Sequence, residues 1–144
     1  MLVHQILKSK ATADVVTVKS GTSVSDAAKV LAENRIGTVV ISDDGIVAKG
    51  ILSERDIVRE IGTRGASCMN ETVDDMMTTN LITCGLSDRA GKVLQMMTDG
   101  RFRHMPVLED GKMVGLITLG DVVKARMSEL EVTKDALQGM IMGH

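Results

Sequence analysis

Apolar positions along the chain change their period in a set order, and that order occurs twice. Residues 15–18 and 81–84 are short apolar runs bounded by turn formers and predict strands. Val24, Ala27, Ala28 and Leu31, and later Ala90, Val93, Leu94 and Met97, then follow i, i+3, i+4, i+7, the apolar stripe of a helix. Residues 38–42 and 104–108 return to nearly continuous apolar runs, the pattern of buried strands. Asp43-Asp44-Gly45 and Glu109-Asp110-Gly111 are turn clusters that favour a hairpin, with further strands at residues 47–52 and 113–117. A helix opens near Ser53 and again near Thr118. Each copy reads β-α-β-β-α.

The residues themselves repeat. Asp14-Val15-Val16-Thr17-Val18 lies over Asn80-Leu81-Ile82-Thr83-Cys84, sixty-six residues on, and the same offset carries Arg35-Ile36 onto Arg101-Phe102 and Asp44-Gly45 onto Asp110-Gly111. One residue is lost in the turn, after which Gly50-Ile51-Leu52-Ser53 lies over Gly115-Leu116-Ile117-Thr118 and Asp56 over Asp121. A register held this long is a duplication. The copies are placed at residues 8–62 and 76–130, joined by a linker at 63–75, with residues 131–144 as a C-terminal helical extension. A short helix at 73–77 is expected to lead into the second copy, and one long helix to run from Asp121 to an end near Gly143. Neither copy is large enough to bury a helix-backed sheet well alone. The fold class is therefore α/β (α+β), two tandem repeats packed as one pseudo-two-fold module.

Composition narrows the functions. The core must be built from aliphatic residues and methionine, since the chain has Met 11, Phe 1 and neither Trp nor Tyr. A net charge of −2 gives no positive field for nucleic acid or an anionic membrane, and the missing aromatics remove a base-stacking platform. Cys68 and Cys84 stand apart without a CxxC, which fits a reducing compartment, and three scattered histidines offer no metal-ligand spacing. MLVHQILKSK is too interrupted for a signal peptide, and no apolar run reaches membrane-spanning length. The expectation is a soluble, cytoplasmic protein with no nucleic-acid or membrane partner.

The sharpest motif is Gly-h-h-[Ser/Thr]-x-x-Asp, with h apolar, at Gly50/Ser53/Asp56 and again at Gly115/Thr118/Asp121. A buried strand running straight into a helix aims first-turn N–H groups at one spot, which suits a phosphate. Ser53 and Thr118 can add a hydroxyl, and Asp56 and Asp121 can accept hydrogen bonds from ribose hydroxyls. The same spacing is also close to a capping box, and the two roles can coexist. A hydrolase using His104 and Ser53 is disfavoured because no Gly-x-Ser-x-Gly elbow exists. Arg101, Arg103 and Lys112 read first as a solvated basic rim.

Gly50-Ile51-Leu52-Ser53-Glu54-Arg55-Asp56 in the first copy, and Arg101-Phe102-Arg103-His104-Met105-Pro106-Val107 followed by Gly115-Leu116-Ile117-Thr118-Leu119-Gly120-Asp121 in the second, resemble a pair of cystathionine-β-synthase-type (CBS) repeats, a Bateman module. The resemblance covers about residues 8 to 130. It implies a regulatory module, not an enzyme, with no catalytic cofactor, binding AMP, ADP, ATP or NAD(H), and less favourably S-adenosylmethionine, in clefts between the repeats. By position it makes Ser53/Asp56 and Thr118/Asp121 the phosphate and ribose contacts of two sites. The adenine would lie near Val16 and Thr17 in one and near Ile82 and Thr83 in the other. Gly37-Thr38 and His104-Met105-Pro106 would line the cleft, with Arg55, Arg103 and His104 as phosphate partners. The first copy departs from the pattern at Val39-Val40, where the second has Met105-Pro106. The resemblance also implies a homodimer, for which the apolar positions of the last helix are candidates, and a separate regulated protein as partner. The competing class is a protein–protein interaction module whose clefts are degenerate.

Overall fold

In the first copy, β1 (Thr17–Val18) pairs parallel with β2 (Thr38–Ile41) across the helix α2 (Val24–Asn34), and β2 turns back antiparallel onto β3 (Gly50–Ser53). The structure is a computed structural model, which describes residues 1–10 and 15–141. The second copy repeats this order with β4 (Cys84–Gly85), α5 (Ala90–Gly100), β5 (His104–Glu109) and β6 (Lys112–Thr118). Each sheet has three strands in sequence order, followed by a helix: α3 (Glu54–Arg64) after β3 and α6 (Leu119–Ile141) after β6. Helix α6 extends past the repeat, and the expected end near Gly143 lies outside the described residues. The two-layer α/β repeat pair is as the periodicity predicts.

Three strands are shorter than their apolar runs, for local reasons. Residues 15–16 lead into β1 without laddering, although the carbonyl of Val16 still accepts from the Val40 N–H at 3.2 Å. Residues 81–83 likewise stay outside β4, where the Leu81 N–H turns back to the Thr79 carbonyl at 2.9 Å. In the first hairpin, Asp44 Oδ1 accepts the N–H groups of Ile46 and Val47 at 2.8 and 2.9 Å. That Asx-type capture holds the chain in a loop, so β3 begins at Gly50 rather than at residue 47. In the second copy the equivalent Asp110 makes no such capture among the described residues, and Asp110-Gly111, both at positive φ, close a two-residue turn between Glu109 and Lys112.

Two apolar cores result, and each is completed by a segment from outside its own repeat. Val73, on the short helix α4 (Val73–Met76), is buried in the first core with Val24, Leu31, Ile41 and Leu52. Val3 and Ile6, on an N-terminal helix α1 (Val3–Ser9) that the sequence reading did not foresee, are buried in the second core with Val93, Met105 and Ile117. The attachments match. Val24 N–H donates to the Glu71 carbonyl at 2.8 Å and Val73 N–H to Thr22 at 2.8 Å; Ala90 N–H donates to Met1 at 2.9 Å and Val3 N–H to Asp88 at 2.9 Å. The helix expected to lead into the second copy thus seals the first, and α1 seals the second.

This crossing explains the glycine of the repeated motif. A Cβ on Gly50 would fall 2.4 Å from Met77 Sδ and 3.1 Å from the Thr78 carbonyl; one on Gly115 would fall 2.8 Å from Leu7 Cδ2. The bare backbone lets the crossing segments lie flat on β3 and β6. Among the described residues, no helix is long and apolar enough to cross a membrane.

Candidate functional site

Register brings the motif residues to the junction of the repeats. Thr38 lies opposite Ser53 on β2 and β3, and His104 opposite Thr118 on β5 and β6. Both strand-to-helix corners carry reciprocal caps. The Asp56 N–H donates to Ser53 Oγ at 3.1 Å while Asp56 Oδ2 accepts from the Ser53 N–H and hydroxyl at 3.0 and 2.9 Å. The Asp121 N–H donates to Thr118 Oγ1 at 3.1 Å, and Asp121 Oδ2 accepts from the Thr118 N–H at 2.9 Å. These hydrogen bonds fix the side chains at the helix starts, each worth about 1 kcal/mol.

Each corner opens into a cleft whose other wall belongs to the opposite repeat. The α6 cleft, about 650 Å³, joins Thr118, Asp121 and Lys124 to Val15, Val16, Ile36, Gly37 and Thr38, with Lys10 at the end of α1. The α3 cleft, about 490 Å³, joins Ser53, Asp56, Arg55 and Arg59 to Ile82 and the segment from Gly100 to His104. Both volumes suit a nucleoside-sized ligand. Val16 therefore faces Thr118/Asp121, and Ile82 faces Ser53/Asp56. His104 lines both clefts, and Thr38 Oγ1 lies 3.0 Å from each of its ring nitrogens. Thr38 and His104 are equivalent positions of the duplication, so they mark the pseudo-two-fold axis.

Four expected site residues are not part of either lining. Thr17 and Thr83 adjoin Val16 and Ile82 along extended chain, where successive side chains point opposite ways. Met105 is buried in the second core by the same alternation from His104. Pro106 is buried on β5 opposite Leu116.

Charge differs between the clefts. Lys10 Nζ lies 2.9 Å from Asp121 Oδ2 and donates to the Leu116 carbonyl at 2.9 Å. Burial pushes the Asp121 carboxyl upward, but the Thr118 N–H and the Lys10 ammonium outweigh it, and the carboxyl titrates below its usual range. Burial chiefly, with Lys10 and Arg103 adding repulsion, lowers His104 below the ordinary imidazole value despite Asp121 and Asp56. Its neutral ring is thus a hydrogen-bonding partner at neutral pH rather than a cation. In the α3 cleft, Arg59 Nη2 donates to Asp56 Oδ1 at 2.8 Å. Sequence reasoning missed Lys10, Lys124, Arg59 and Phe102. Val3, Ile6 and Leu7 at helical spacing were the available signal that Lys10 sits at the end of a docked helix.

A model of the CBS domain family matches residues 3–63 and 73–128. The chain is 35% identical over 125 residues to the mitochondrial CBS domain-containing protein CBSX3 of Arabidopsis thaliana, an alignment covering 84% of this chain and 61% of that protein's length. The solved CBS-domain protein ATU1752 of Agrobacterium tumefaciens matches with a TM-score of 0.82 at 40% identity, over 88% of this chain and 99% of the other. The CBS domain pair of protein MJ0100, solved in complex with 5′-methylthioadenosine and S-adenosyl-L-methionine, matches with a TM-score of 0.76 at 27% identity, over 90% and 98%. With two family matches falling on the two halves of a duplication, and each half folded as the relatives are, the chain belongs to the CBS domain family as a tandem pair.

Proposed function

We propose that this CBS pair is a regulatory module that binds an adenine nucleotide in the clefts between its repeats and so changes how it is presented to a partner protein. The observation that carries the reading is the pair of equivalent strand-to-helix corners, each setting a hydroxyl residue and an aspartate on a cleft walled by the other repeat. A similar pair, that of MJ0100, holds adenosine-containing ligands. A ligand spanning two repeats favours one relative orientation by its differential contacts, and couplings of about 1–3 kcal/mol suffice to shift presentation.

Helix α6 supports a homodimer as the working unit. Leu130, Leu137, Met140 and Ile141 are 63%, 54%, 77% and 84% exposed along its length, apolar surface that a second copy would cover. The same surface favours the second reading, an interaction module with vestigial clefts.

Calorimetry and thermal shift with AMP, ADP, ATP, NAD(H) and S-adenosylmethionine separate the two, using wild type, Asp56→Ala and Asp121→Ala. The nucleotide reading expects at least one stabilising ligand whose effect is lost in one of the variants. Absence of any shift at millimolar ligand leaves the motif as a pair of helix caps and selects the interaction module.

A further inference from the structure

Duplication should give two clefts with equivalent linings, yet they differ in one respect. The hydroxyl, the aspartate and the apolar contact are kept: Ser53 and Thr118, Asp56 and Asp121, Ile82 and Val16. The arginines are not. Arg55 of the α3 cleft corresponds to Gly120, Arg59 to Lys124, and Arg103 to Gly37. Arg101 also lines the α3 cleft, whereas its counterpart Arg35 lies away from the α6 cleft, in a groove between α2 and α3.

Four arginines therefore line one cavity whose single carboxylate among the described residues, Asp56, is engaged by Arg59. Arg55, Arg101 and Arg103 make no ion pair among the described residues. Such convergence costs mutual repulsion, which a polyanion relieves, and guanidinium forks match phosphate oxygens two at a time. At the start of α3 the Glu54 N–H already donates to the Gly37 carbonyl and the Asp56 N–H to Ser53 Oγ, so the arginines are the groups left to meet an anion. The α6 cleft offers a different surface. Its Lys10 is committed to Asp121 and the Leu116 carbonyl and Lys124 stands in place of Arg59, while Val15 and Ile36 hold the places that Leu81 and Phe102 hold in the α3 cleft, so the difference is one of charge.

We infer that the two clefts take different ligands: an adenosine di- or triphosphate in the α3 cleft, and an adenosine compound with at most one phosphate in the α6 cleft. The inference rests on the nucleotide reading above and assigns its ligand class cleft by cleft. The module would then compare two chemically distinct signals rather than bind two copies of one.

Isothermal titration of the full chain with ATP and with adenosine, separately and together, tests it. In the wild type, ATP titrated into protein saturated with adenosine should bind with affinity unchanged within about twofold, since the sites differ. Arg55→Ala/Arg103→Ala should weaken ATP by about tenfold or more and leave adenosine unaffected, as expected for lost charge-assisted contacts to phosphate. Raising salt should weaken ATP more than adenosine. Direct competition between ATP and adenosine in the wild type, or unchanged ATP affinity in the folded double variant, overturns the two-ligand assignment while leaving nucleotide binding in place. Absence of binding by ATP, AMP and adenosine alike overturns both.

Discussion

At the scale of single residues, His104 is the point where the two copies touch. Its ring meets Thr38 across the pseudo-axis, lines both clefts, and is held below its ordinary pKa chiefly by burial. The sign of the linkage follows. An unfolded chain takes up the imidazole proton near pH 6.5, whereas the folded chain takes it up only at lower pH. Between those values the unfolded state binds more protons, so stability falls as pH falls. Thermal melts from pH 7.5 to 5.0 should show a decline in Tm beginning near pH 6.5, flattened in His104→Gln. An unchanged slope in the variant would place the sensitivity elsewhere. The placement of Ser53, Asp56, Thr118 and Asp121 at the starts of two equivalent helices was legible because the motif occurs twice in register. Lys10 was not, because only the docking of α1 sets it beside an aspartate more than a hundred residues away.

Among elements, hydrophobic period carried most of the information. It located the starts of α2 and α5, which run three residues past their apolar stripes, and placed β2 and β5 to within a residue. What it could not see was local competition for backbone groups, as when the Asp44 carboxylate captures two N–H donors and delays β3. Nor could it see destination. Helix α4 was legible as a helix, but nothing in its residues tells which core Val73 enters. The glycines of the motif belong to this scale, since they serve the crossing segments rather than the ligand. Gly115→Val should cost about 1–3 kcal/mol in urea unfolding, the range for overpacking. If the clash is with Leu7, the double variant Gly115→Val/Leu7→Ala should lose less than the sum of the two single changes. Strict additivity would mean that the helix is not what Gly115 accommodates.

For the whole molecule, the exchange of sealing segments ties the halves together. Val3 and Val73 are both fully buried, each in the core of the repeat it does not precede by sequence logic. The Met113 N–H also reaches the Ile46 carbonyl at 2.8 Å, joining β6 to the first copy's loop. Denaturant unfolding should consequently show one transition, followed alike by different probes. Val3→Ala and Val73→Ala should each move that transition as a unit, by about 1–3 kcal/mol. Two resolved transitions, one per variant, would show repeats that unfold independently.

The seat of α1 has a consequence in time. It is assembled from residues between Leu86 and Ala125, whereas Val3 and Ile6 are synthesised some eighty residues or more before them. At about 5–20 residues per second, the interval before that seat is complete is on the order of ten seconds. Alone, a helix of 7 residues is far too short to persist in water. The first repeat, by contrast, has the parts of its core once Thr78 has been made. Synthesis therefore completes the first core well before the second, and Val3 and Ile6 reach their seat only after Ala125 has been made.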